Sequence, residues 1–183
     1  MPPMNAGDTV QYSGTYLEMT SRPAAPIPAP PIGPQLALIG ASIPPIGYFL
    51  YLYDAVGAAY EWTDWHTRSR AEQAAFVHDP KVELFTLMVD GWPRGFFMLD
   101  TREPGTCDLA YFGLVPEAIG RGLSHWFLSS AVHMGWDQPE VQRMTVNTNT
   151  LDHPRALTLY QKIGFEPTRR EDHARKLTRP REA

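Results

Sequence analysis

At 183 residues, with 43% hydrophobic and 20% charged side chains, the sequence suits one soluble domain built on a single core. A formal net charge of −4 leaves no basic footprint, which argues against nucleic acid and against an anionic membrane surface as partners. The single cysteine, Cys107, excludes an internal disulfide and a cysteine metal cluster and fits a reducing, cytoplasmic setting.

Residues 1–8 show neither a basic nor an apolar leader segment, so no secretory signal is expected. Residues 9–19, with Val10, Tyr12, Tyr16, Leu17 and Met19, predict a first strand interrupted near Gly14. A proline-rich connector over about 22–34 follows, read as an extended strap along the surface. Prolines at 28, 30, 31, 34, 44 and 45 break the apolar stretch 27–52, which therefore cannot span a membrane. A short strand is expected over 35–41 and a helix over 46–58, with Phe49, Leu50, Tyr53 and Val56 at helical spacing. The most aromatic short stretch, Tyr60 to His66, precedes a second helix opened by the capping box Ser69-Arg70-Ala71-Glu72 and ended near His78 by Asp79-Pro80. Strands over 82–89 and 95–99 are joined through Asp90-Gly91, and Glu103-Pro104-Gly105 turns into a further strand over 109–115. A long helix over 122–136, a strand over 141–149, a helix opened by Pro154 and stopped by Gly164, and a last strand over 166–177 complete a mixed α/β order. A charged tail, 179–183, ends the sequence.

The chemistry concentrates where strand 109–115 enters Val115-Pro116-Glu117-Ala118-Ile119-Gly120-Arg121-Gly122-Leu123-Ser124. A strand, a glycine turn and a helix start present unpaired backbone N–H groups and a positive helix end, a setting for phosphate. A P-loop would need a lysine that this turn lacks. A dinucleotide fingerprint would need a third glycine where His125 stands.

The same turn, with Ala156, Leu159, Tyr160, Lys162, Gly164 and Phe165 downstream, resembles the Gcn5-related N-acetyltransferase (GNAT) superfamily. Its Gln/Arg-x-x-Gly-x-Gly/Ala signature falls on Ile119 to Ser124: the fourth-position glycine, Gly122, matches, while Ile119 and Ser124 depart from the pattern. The resemblance covers residues 82–165. It implies a mixed central sheet with helices on both faces and two strands, the family's fourth and fifth (108–115 and 141–149 here), splayed apart. It implies acetyl-CoA as acyl donor without a metal, and transfer of the acetyl group to a primary amine of a small molecule in a ternary complex. Alternatives within the resemblance are a protein or peptide amine as acceptor, or a CoA-binding sensor module without catalysis. Family habit also points to a homodimer.

Carried over residue by residue, main-chain groups of Leu114 and Val115 would pair with the pantetheine arm. The amides of Gly120, Arg121, Gly122, Leu123 and Ser124 would hold the pyrophosphate, with Ile119 at the lost polar contact and Arg121 as a charged one. Asn147 and Asn149 are candidate contacts to CoA or to a water chain. Tyr160 would protonate the leaving thiolate, or else simply pack in the last helix. Asp108 is the candidate base, or a turn cap or arginine partner; His153 is a relay or a helix cap. Tyr53, Tyr60, Trp62 and Trp65, with Tyr111, are candidates for the acceptor wall, the alternative being core or dimer-contact aromatics. His125 and His133 lack a third metal ligand and read as surface histidines.

Overall fold

The computed structural model describes residues 4–181; the first three residues of the expected leader-free start and the last two of the charged tail lie outside the described residues. The two-residue turn Asp90-Gly91, with positive φ at both positions, zips strand β3 (Val82–Val89) onto β4 (Trp92–Asp100). So tight a turn starts β4 at Trp92, three residues before the expected strand. Strand β2 (Leu36–Ala41) pairs on the outer side of β3, and β5 (Thr106–Leu114) on the other side of β4.

Beyond β5 the order is β2-β3-β4-β5-β6-β1-β7, with β6 over Arg143–Asn149, β1 over Thr9–Met19 and β7 over Glu166–Lys176. The first strand in sequence thus lies between β6 and β7, antiparallel to both. Its expected interruption at Gly14 is absent: Gly14 pairs with Asn149 on one side and Glu171 on the other, and the register shift falls between Tyr16 and Leu17. All pairings are antiparallel except β5 with β6, which is parallel and confined to Thr106–Arg143, Cys107–Met144 and Asp108–Thr145. From Leu109 onward β5 and β6 part.

Helices cover both faces. Helix α1 (Ile46–Gly57) and α3 (Arg70–Val77) lie against one, with the four-residue α2 (Asp64–Thr67) between them. Helix α4 (Leu123–Trp136) covers the other, Phe127 packing on Phe97 and Phe112. Helix α5 (Ala156–Ile163) begins two residues after Pro154, because His153 and Arg155 form a turn in which Arg155 N–H donates to His153 Nδ1 at 3.2 Å. Gly164 ends it in the left-handed region, and Phe165 N–H returns to the Tyr160 carbonyl at 3.1 Å. The Ser69 capping box forms as expected. The proline-rich connector is tied to α4 where Arg22 meets Asp137 at 2.6 Å and His133 Nε2 meets the Ala25 carbonyl at 3.1 Å. Among the described residues no helix is long and apolar enough to cross a membrane.

Candidate active site

The parting of β5 from β6 leaves one edge of β5 without a backbone partner and opens a cavity of about 700 Å³ beside it. At one end stands the turn that follows β5. Gly120 and Gly122 have φ of 78° and 75°, a conformation that costs an L-residue roughly 1–2 kcal/mol. No side chain caps the first turn of α4, so its leading amides face the cavity mouth unclaimed by a cap. Ile119, Ser124 and His125 complete this end.

At the other end the wall is aromatic and anionic. Helix α1 ends at Gly57, where a Cβ would lie 2.4 Å from Trp62. The absence of a side chain lets Trp62 fold back onto the helix, helped by Glu61, whose φ of 62° reverses the chain. Trp62 then packs against Tyr53 and Tyr111, ring centroids 5.6 and 5.4 Å away, and its indole Nε1 donates to Asp152 Oδ1 at 3.1 Å. Asp152 Oδ2 accepts from Thr148 Oγ1 and from Asn149 N–H, both at 2.9 Å. Strands β1 and β7 close this end with Tyr12 and Tyr16 from one and His173 and Arg175 from the other.

Tyr160 lines the same cavity and is buried; burial, with the charges of Asp152 and Asp108 behind it, raises its pKa, so the phenol is protonated at neutral pH. A smaller cavity of about 440 Å³ lies on the far side of Tyr111 and holds Asp108, Asp100, Arg102, Glu72 and Trp65. Ala110, Tyr111 and Asn147 line both cavities. Burial pushes the Asp108 carboxyl up to about 6, a hydrogen bond from Thr145 Oγ1 at 2.6 Å pulling the other way. Burial likewise pushes Tyr111 up to about 12, and the Cys107 thiol, beneath the sheet, up to about 12.

No family model matches the sequence, and no curated protein matches it. Solved structures do. A GCN5-related N-acetyltransferase from Kribbella flavida superposes with a TM-score of 0.59 at 15% identity, over 88% of this chain and 56% of that one. A tandem GNAT protein of the clavulanic acid biosynthesis pathway gives 0.62 at 19% identity, over 94% and 55%. An aminoglycoside N-acetyltransferase solved with CoA gives 0.53 at 17% identity, over 76% and 93%. The fold is that of the GCN5-related N-acetyltransferases. The chain spans 54–63% of the length of the first five structures it matches.

Within this GNAT fold the large cavity collects Leu114, Ile119, Gly120, Gly122, Ser124, Asn149, Tyr53, Trp62, Tyr111 and Tyr160 from the expected site residues. Five others stand outside it. Val115 and Leu123 are buried in the core; Val115 N–H donates to the Arg94 carbonyl and its C=O accepts from Ala118 N–H, both at 2.9 Å. Arg121, inside the turn between Gly120 and Gly122, is exposed. Asp108 and Trp65 belong to the smaller cavity, where Trp65 stacks on Phe76 at 4.7 Å and donates to Tyr111 Oη at 2.6 Å. The aromatic stretch 60–66 therefore divides: Tyr60 and Trp62 face the large cavity, Trp65 the small one.

Asp152, Glu61, Tyr12, Tyr16, His173 and Arg175 also line the large cavity, and no sequence motif marks them. The alternation Tyr12-Gly14-Tyr16 and His173-Arg175 marks one face of each strand, but nothing local says that these strands lie beside β6. Among the described residues no group of three or more His, Cys, Asp or Glu side chains is arranged to hold a metal ion.

Proposed function

We propose that this protein is an acyl-CoA-dependent N-acetyltransferase that acetylates a primary amine of a small molecule by direct attack in a ternary complex. The observation that carries the proposal is a single cavity joining an uncapped glycine turn at a helix start, the unpaired edge of β5, the protonated Tyr160 and an aromatic acceptor wall. In this reading the amides of Gly120, Gly122 and Ser124 receive the pyrophosphate of acetyl-CoA, and the main chain at Leu114 meets the pantetheine arm. Val115, Arg121 and Leu123 supply the turn's shape rather than direct contacts.

Attack requires a deprotonated amine, an oxyanion donor and a proton for the leaving thiolate. Tyr160 gives the proton: its hydroxyl is intact at pH 7 and hydrogen-bonds the developing thiolate. Because burial leaves the phenolate more basic than a thiolate of pKa near 8.5, the transfer is completed by the second proton that the attacking nitrogen releases as the amide forms. Asp108 takes the proton of the ammonium. A carboxyl titrating at about 6 is ionised at neutral pH yet basic enough to accept. Because Asp108 stands in the smaller cavity, the proton travels past Asn147, where the two cavities share a wall.

Calorimetric titration with acetyl-CoA, followed by thiol release against a panel of amines, tests the reading. Binding in the micromolar range and amine-dependent thiol release are expected, and Tyr160→Phe should lower kcat on the order of 10²-fold. No affinity for acetyl-CoA, or preference for NAD or ATP, overturns it.

A further inference from the structure

Resting on that reading, the carboxylates of the acceptor end narrow the class of amine. Three acidic side chains line that end: Glu61, Asp64 and Asp152. Asp64 is answered by Arg175, 3.5 Å away, whose Nη2 also donates to Thr63 Oγ1 at 2.7 Å. The other two are met only by neutral donors. Asp152 takes Trp62, Thr148 and Asn149 as described, and Glu61 Oε2 takes the N–H and hydroxyl of Thr178 at 3.0 and 2.9 Å. Arg181, also nearby, gives Nη2 to the Leu151 carbonyl at 2.8 Å, and among the described residues no cation lies within 4 Å of either carboxylate.

This is an expensive arrangement for a resting protein. Glu61 is only 2% exposed and held at positive φ, and no cation pairs with its carboxylate, Arg181 standing near with its Nη1 buried and without a hydrogen-bond partner. It is economical if a cation arrives with the ligand. The rings beside these carboxylates, Tyr60 and Trp62, flank Glu61 in sequence and line the same cavity, where an aromatic ring is a partner for an ammonium. Burial raises the pKa of both Tyr60 and Tyr160, and the charge of Asp152 adds to each, with Arg181 opposing it at Tyr60.

We infer that the acceptor is a di- or polyamine: besides the amine that is acetylated it carries a further ammonium, held by Asp152 and Glu61 against Tyr60 and Trp62. The acetylated nitrogen loses its proton to the protein base before attack, so its charge does not satisfy both carboxylates; the distal ammonium keeps its proton throughout.

Three compounds of one chain length separate the possibilities: 1,4-diaminobutane, n-butylamine and 4-aminobutanoic acid, whose distal groups are an ammonium, a methyl and a carboxylate. With acetyl-CoA saturating, kcat/KM for the diamine is expected to exceed that for n-butylamine at least tenfold, chiefly through KM. Asp152→Asn and Glu61→Gln should each shrink that ratio several-fold while the affinity for acetyl-CoA is kept. Calorimetric binding of 1,4-diaminobutane without acetyl-CoA, lost in Glu61→Gln, supports the cation site even where no turnover is seen, so the site and the transferase reading fail separately. Equal use of diamine and n-butylamine, preference for 4-aminobutanoic acid through Arg175 and His173, or no diamine binding in either assay overturns the inference. Glu61→Gln keeps the bonds from Thr178, so a folding failure of Asp152→Asn leaves the test intact.

Discussion

Asp108 sets the sharpest question at the scale of a single residue, because stability and activity should respond to it in opposite directions. Its carboxyl titrates at about 6 in the fold against an ordinary 3.8, so the folded chain holds that proton more tightly than the unfolded one. The stabilisation is therefore complete below about pH 4 and is lost as pH rises through 6, amounting to about 2–3 kcal/mol. Asp108→Asn should remove this slope: thermal melts of the two proteins should agree near pH 4 and separate by pH 7.5, with the asparagine variant more stable. Thiol release should move the other way, falling on the order of 10²-fold at pH 7 and losing its acid limb near pH 6. Parallel melting curves across that range would show that the carboxyl is not desolvated in solution. Asp108 is legible as a candidate because the family resemblance puts a carboxylate base on this strand. Which cavity it faces is not, since Ala110 bulges from β5 between Leu109 and Tyr111, opposite Leu99 and Met98, and shifts the register there.

Elements read well from sequence where local chemistry decides them and poorly where another element does. The capping box at Ser69, the Asp90-Gly91 turn and the Gly164 stop are short-range signals, and each appears where the residues put it. The glycine turn at Gly120–Gly122 belongs with them. Trp62 does not: its place depends on Gly57, five residues back, where the two come too close for any other residue. Gly57→Ala sets a methyl 2.4 Å from the indole, and unlike a flexible side-chain tip the Trp62 Cβ is fixed to the backbone. The expected cost is about 1–3 kcal/mol of stability. Because the displaced indole also loses its bond to Asp152, KM for the amine should rise while affinity for acetyl-CoA stays, a split readable by steady-state kinetics beside calorimetry. A rise in both would mean that the whole cavity had slackened.

For the whole molecule, the decisive feature is that the sheet is completed by the chain's first strand. Residues 9–19 and 166–176 pair almost end to end, and β1 also pairs with β6, so the acceptor wall joins residues from the two ends of the chain, Tyr12 directly opposite His173. No periodicity within either strand records that partnership, and so the sequence leaves Tyr12, Tyr16, His173 and Arg175 outside the candidate site. The connector between β1 and β2 is long enough to reach from the inner sheet past α4 to the far edge, and its prolines keep it extended rather than packed. What holds β1 in place is then the two ladders and the burial of Leu17 and Met19, 1% and 3% exposed, not the covalent link. A protease site introduced between Ala29 and Pro30 tests this directly. After cleavage the two pieces should elute together and keep the native circular dichroism spectrum, with KM for the amine unchanged, because Tyr12 and Tyr16 stay seated. Leu17→Ala in the nicked protein, which removes about 2–5 kcal/mol of core packing, should release the N-terminal piece, and with it the acceptor wall. If the nicked wild-type pieces separate instead, the connector rather than the ladders secures β1.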